Sequence, residues 1–173
     1  MTGRWRRYCG CCGENNIGYC FEPHRNIGNI EYFSYVEITK RYLDVLTYEV
    51  IGCAIEVYKH IGPGLLESVY EKCFLRELAL RGIAFKSQVW VPLQYKGVKL
   101  DAELRLDVLV EDIICLELKA QERLLPIHDA ILLSYMQMLQ KPKGILINFH
   151  CINIFKEGQK TLVNSLFELL PEG

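Results

Sequence analysis

Apolar and polar positions change their period along this chain, and the changes mark its elements. Up to residue 43 no period is sustained, and Gly, Asn, Tyr and Cys are frequent. In LTYEVIGCAIEVYKHIG, apolar residues at 46, 50, 51, 54, 55, 57 and 58 form the broad stripe of a helix covered on one side. Gly62-Pro63-Gly64 breaks it. LLESVYEKCFLRELALRG predicts a second helix, with Leu66, Val69, Tyr70, Cys73, Phe74 and Leu78 turned inward and Gly82 as its stop. Extended segments are expected over 85–95, 98–110 and 113–119, with a turn at Lys96-Gly97. Pro126 opens a third helix whose apolar side carries Ile127, Ile131, Leu132, Tyr135, Met136 and Leu139, and Lys141-Pro142-Lys143-Gly144 ends it. GILINF reads as a buried strand, CINIF as a further strand, and LVNSLFELL as a closing helix or frayed tail. The order ααβββαβ(β)α predicts an α/β (α+β) domain, a mixed sheet flanked by helices.

With 173 residues, half of them apolar, the chain suffices for one domain with a sizeable core. No apolar run approaches the roughly 20 residues of a membrane helix. The opening MTGRWRRYCGCCGENN has basic residues but no apolar stretch behind them, unlike a secretory signal, so a cytoplasmic protein is expected. A formal net charge of −1 means that any polyanion must be met by a local patch or by bound cations. Cys9, Cys11, Cys12 and Cys20 crowd the start, but their spacing with His24 fits no common zinc finger. Cys53, Cys73, Cys115 and Cys151 sit singly in apolar stretches and read as small core residues. Residues 1–43 are accordingly expected to be a Cys-rich leader, poorly structured or extraneous, and 44–173 the functional domain.

RLDVLVEDIICLELKA (105–120) is strongly apolar yet holds Asp107, Glu117 and Lys119. As a hairpin with a two-residue loop at Glu111-Asp112, it would set Leu106 against Glu117 and Asp107 against Leu116, mixing charge and apolar groups on each face. A three-residue loop at 111–113 instead sets Leu106 against Leu118, Val108 against Leu116 and Val110 against Ile114, an apolar face. The other face then opposes Asp107 to Glu117 and Arg105 to Lys119. Carboxylates on opposed strand positions, with Cβ atoms about 5 Å apart, repel and raise each other's pKa. A divalent cation between them removes the repulsion, and oxygen donors with retained waters suit Mg²⁺. A solvated face with a ladder of alternating charge is the plainer reading of the same residues.

Asp107 followed by Glu117-Leu118-Lys119 resembles the D…(D/E)-x-K core of the PD-(D/E)XK nuclease superfamily. Gly64-Leu65-Leu66-Glu67-Ser68-Val69-Tyr70 matches a G-x-x-E-x-x-Y signature. With YKGVKLDAELRLDVLVED, LELKA, RLLPIHDA, LLSY and ILINF, it resembles the GxxExxY protein family, a small prokaryotic branch of that superfamily, over roughly residues 44–164. The resemblance implies a restriction-endonuclease-like core and Mg²⁺-dependent hydrolysis of phosphodiester bonds, with Mn²⁺ as an alternative metal. It implies that Glu67, Asp107, Glu117 and the Leu118 carbonyl hold the metal and that Lys119 orients or helps deprotonate the attacking water. Arg105, Tyr70 and Tyr135 are the expected substrate-binding residues, nucleic acid (foremost DNA) the expected partner, and a homodimer the means of gripping a long duplex. Glu67 in a first helical turn is also what the helix dipole favours.

Two positions depart from the pattern. Many relatives carry a glutamine where this chain has Ile131, four before Tyr135, and a histidine near the position of Tyr58. His60 and His128 flank the motifs and read as structural. Ile131 and the modest basic content also suit a nuclease-fold module that binds nucleic acid or a protein partner without turnover; Glu67, Asp107, Glu117 and Lys119 suit the enzyme.

Overall fold

The structure, a computed structural model, describes residues 5–6, 18–21 and 35–173, with side chains from residue 37 onward. The chain divides into two compact units: residues 1–42 with 170–173, and residues 43–169. In the smaller unit β1 (Trp5–Arg6), β2 (Gly18–Phe21) and β3 (Tyr35–Glu37) form an antiparallel sheet in that order. Lys40 pairs with Glu172 at 2.6 Å. Cys9, Cys11, Cys12, His24 and the Cys20 side chain lie outside the described residues.

α1 (Lys40–Ile61) starts ahead of its apolar stripe, because Thr39 caps it by accepting from Tyr42 N–H at 3.0 Å. After the Gly-Pro-Gly break come α2 (Glu67–Leu80), β4 (Phe85–Trp90), β5 (Leu93–Tyr95), β6 (Val98–Leu100), β7 (Arg105–Val110) and β8 (Ile114–Lys119). α3 (Pro126–Met138), β9 (Lys143–Asn148), β10 (Gln159–Val163) and the single-turn α4 (Ser165–Glu168) complete the chain. The five-stranded sheet has the order β10-β9-β8-β7-β4, antiparallel except for β8 and β9, which α3 joins in parallel. A mixed sheet flanked by helices is the expected fold class, consistent with a restriction-endonuclease-like fold.

Three boundaries differ from the sequence reading. The segment 85–95 is not one strand: β4 ends at Trp90, and Pro92, with no N–H to give a ladder, separates it from β5. The segment 98–110 breaks at 101–104, so β5 and β6 form a separate two-stranded ribbon. CINIF is a turn and not a strand, because the Glu157 carboxylate accepts from Ile152 and Asn153 N–H and tightens it; Ile152 is 88% exposed, and the fifth strand lies at 159–163.

β8 and β9 are buried along nearly their whole length, as strands covered on both faces must be. On one face Leu109, Cys115 and Leu146 pack with Leu132 and Met136 of α3. A Cβ on Gly144 would stand 2.6 Å from Met136 Sδ and 3.0 Å from Leu132 Cγ, so the missing side chain lets α3 approach β9. α2 packs against β4 and β8.

Candidate active site

The hairpin adopts the three-residue-loop register: Val108 pairs with Leu116, Leu109 with Cys115 and Val110 with Ile114. Glu111 and Asp112 both take positive φ (49° and 53°), and Ile113 N–H closes the turn on Val110 C=O at 2.9 Å. Ile113 is thereby the extra residue that shifts the pairing. Ion pairs from Asp112 to Lys86 (3.0 Å) and Lys141 (3.2 Å), and Ala84 N–H donating to Glu111 at 2.9 Å, hold the left-handed residues. Beyond Val108–Leu116 the ladder stops, and Leu118 N–H donates instead to Asp107 Oδ2 at 2.8 Å.

Four oxygens converge on one nitrogen. Lys119 Nζ lies 3.2 Å from Glu117 Oε2, 3.7 Å from Glu67 Oε1, 3.9 Å from Asp107 Oδ2 and 2.8 Å from the Leu118 carbonyl oxygen. The plainer reading, a solvated charged face, does not describe this place: Glu117 is 5% exposed, and its buried Oε1 has no hydrogen-bond partner among the described residues. Burial, then the Asp107 charge, pushes the Glu117 carboxyl up to about 7. Burial also raises Asp107, although the Leu118 N–H and Lys119 oppose it. Burial pulls the Lys119 ammonium down, but Glu117, Asp107 and Glu67 together outweigh it, and the net shift is upward.

The family model of the PD-(D/E)XK nuclease superfamily matches residues 44–161, most of the chain. The chain belongs to the PD-(D/E)XK nuclease superfamily. No curated protein and no solved structure matches it. PD-(D/E)XK nucleases typically use divalent metals. The donor set is all oxygen, which suits a hard cation, and the orphaned Glu117 Oε1 is a buried acceptor that a cation would satisfy. Among the described residues no three acidic, His or Cys side chains already stand close enough to enclose a metal. Here the carboxylates instead surround the Lys119 ammonium at ion-pair distances.

The remaining expected residues divide. Arg105 is exposed and lies over the Trp90 ring, 4.4 Å from its centroid, on the strand of Asp107 and two residues from it. Tyr135 is partly buried within electrostatic reach of Glu117 and Asp107; burial, then Glu117, raises its phenol. Tyr70 is placed differently from a substrate contact. Its hydroxyl donates to Gly62 C=O (2.7 Å) and accepts from Leu65 N–H (3.1 Å), and its buried ring stacks on Phe149 at 4.6 Å. Tyr70 thus clamps the turn from which Glu67 projects, where Gly62 (φ 72°) and Gly64 (φ 103°) adopt left-handed backbone. His128 Nδ1 accepts from Leu125 N–H at 3.1 Å and caps α3, while exposed His60 pairs with Glu56. The Tyr58 hydroxyl donates to the Cys151 carbonyl. Ile131 is 37% exposed on α3, four residues before Tyr135.

Sequence reasoning missed three supports. Glu71, one turn after Glu67, accepts from the Gln88 carboxamide at 2.8 Å and adds negative charge near Asp107. Gln88 interrupts the β4–β7 ladder opposite Asp107 with φ 51°, a left-handed residue inside a strand. Buried Asn148 accepts from Gln121 N–H (3.0 Å) and donates to Gln121 C=O (2.7 Å), fixing the segment after Lys119. The i,i+4 spacing of Glu67 and Glu71 was a usable signal; Gln88 and Asn148 left none.

Proposed function

We propose that this chain is a Mg²⁺-dependent nuclease of the prokaryotic GxxExxY branch, acting on phosphodiester bonds in DNA, with Mn²⁺ able to replace Mg²⁺. The supporting observation is the convergence of Glu67, Asp107, Glu117 and the Leu118 carbonyl on Lys119 Nζ, with a buried Glu117 oxygen left unpaired. Those four groups would hold the cation, which when bound supplies Lewis acidity and a water of low pKa.

The chain's own residues do the rest. Glu117 gives up its proton as the site fills, since a ligand carboxylate must be ionised. Lys119 leaves the centre of the carboxylates and donates to a phosphate oxygen or to the attacking water. Away from the carboxylates that raise its pKa, it orients the attacking water or helps to deprotonate it. Arg105 and Tyr135 flank the scissile group, and Tyr70 positions Glu67 through the Gly62–Leu65 turn. A second copy of the chain would extend the grip on a long duplex.

The test is incubation of purified protein with single- and double-stranded DNA and RNA, with and without Mg²⁺ or Mn²⁺. Metal-dependent cleavage lost in Asp107→Ala and Lys119→Met is expected. Binding without cleavage under every condition overturns the reading in favour of a non-cleaving module, and a gain of rate in Ile131→Gln would mark the lost donor.

A further inference from the structure

We infer that the chain holds unpaired nucleotides of its nucleic-acid substrate on a platform outside the metal-type centre, formed by the Trp90–Arg105 pair, the β5–β6 ribbon and the cleft between that ribbon and α3. The inference deepens the nuclease reading, on which it rests for the identity of the polymer. Trp90 is 55% exposed although its neighbour Val91 is buried in the core, so the ring is directed outward from a fixed backbone. Arg105 covers it from the paired strand, in the β4–β7 register that sets Trp90 against Arg105.

Three residues beyond Trp90 the ribbon begins, at Leu93. Its register places Tyr95 opposite Val98 and Leu93 opposite Leu100, so one face is apolar, and Tyr95, Val98 and Leu100 are all exposed on it. Gln94 and Lys99 share the opposite face, and Lys96 Nζ stands 5.4 Å from the Tyr95 ring centroid. Aromatic rings alternating with cations are what an unpaired strand requires: the rings take bases, the cations take phosphates. A blunt duplex keeps its base faces stacked inside and offers these rings nothing.

The cleft points to the same occupant. It measures about 510 Å³ and is lined by Pro92, Leu93 and Gln94 from the ribbon side and by Ser134, Gln137 and Gln140 from α3 and its end. Its named polar groups are amides and a hydroxyl, which hydrogen-bond the edge of a base but do not neutralise a phosphate. With a formal net charge of only −1 and no surplus of cations, stacking supplies affinity that bulk charge does not.

The test is fluorescence anisotropy of labelled oligonucleotides with the full chain in Ca²⁺ buffer: single-stranded DNA, single-stranded RNA, blunt duplex, and duplex with a single-stranded tail. Wild type is expected to bind unpaired or tailed DNA, RNA or both on the order of ten-fold more tightly than blunt duplex. Trp90→Ala should lose on the order of ten-fold or more of that affinity, Trp90→Phe should recover most of it, and blunt-duplex affinity should stay within two-fold. Mg²⁺ titration of Trp90→Ala should match wild type, which separates this site from the carboxylate centre. Equal affinity of wild type for blunt duplex and single strands, or Trp90→Ala unchanged on single strands, overturns the platform. Failure of the nuclease reading is seen elsewhere, in metal binding that ignores Asp107→Ala.

Discussion

Glu117 is the residue on which ionisation and function pull in opposite directions. Its folded-state pKa of about 7 lies above the ordinary 4.5, so the folded chain holds the proton more tightly than the unfolded chain between those values. Stability therefore falls as pH rises through that window, and the loss is complete above pH 7; Asp107, raised as well, adds in the same direction. Glu117→Gln should flatten the dependence and stabilise the metal-free protein at pH 8 by on the order of 2–3 kcal/mol, read by thermal denaturation at pH 5 and pH 8. The same variant should lose its metal affinity in calorimetry. Lys119→Met should behave in the opposite way: without the ammonium the carboxylates repel, so Mg²⁺ should bind more tightly while cleavage falls by roughly 100-fold or more. At this scale Asp107, Glu117 and Lys119 were legible because strand alternation assigns side chains to faces. The depth of Glu117 was not legible, because burial by elements distant in the sequence leaves no local period. For Tyr70, spacing from Glu67 says which side of α2 it occupies, but the partners of its hydroxyl belong to the preceding turn and could not be read from it.

Among the elements, the turn before α2 governs the position of Glu67. Tyr70→Phe removes both hydrogen bonds to that turn and should cost about 1–2 kcal/mol in chemical denaturation, with a lower kcat and little change in KM. Full retention of kcat would mean that the turn does not position Glu67. The seating of α3 depends on Gly144 in a comparable way. Gly144→Val should cost about 1–3 kcal/mol by overpacking against Met136 and Leu132. The helices were visible from periodicity and from their stops at Gly82 and Lys141-Pro142, and the hairpin from its alternation. Strand ends were less visible. β5 and β6 look continuous with their neighbours in hydrophobicity, and only Pro92 hints at the break. CINIF alternates as a strand does, yet the Glu157 carboxylate folds it into a turn, and QKTLV, weaker in hydrophobicity, takes the sheet edge instead.

At the scale of the molecule, a mixed sheet brings chemistry from α2, β7 and β8 to one place while β8 and β9 stay buried. The family match spans residues 44–161. A chain beginning at Thr39, just ahead of α1, should accordingly keep its fold and its metal affinity, tested by thermal denaturation and calorimetry of the shortened protein against the full one. The architecture was legible because Gly62-Pro63-Gly64, Gly82, Lys96-Gly97, Pro126 and Pro142 separate many of the segments of different period. The β5–β6 ribbon was not, since nothing in its sequence says that its apolar face stays uncovered. The central claim is that Glu67, Asp107 and Glu117 share one divalent cation. Isothermal titration of Mg²⁺ or Mn²⁺ into wild type and Asp107→Ala tests it most directly. One site per chain in wild type, absent in the variant and accompanied near pH 7 by proton release, is the predicted result; equal binding by both proteins, or none by wild type, would contradict it.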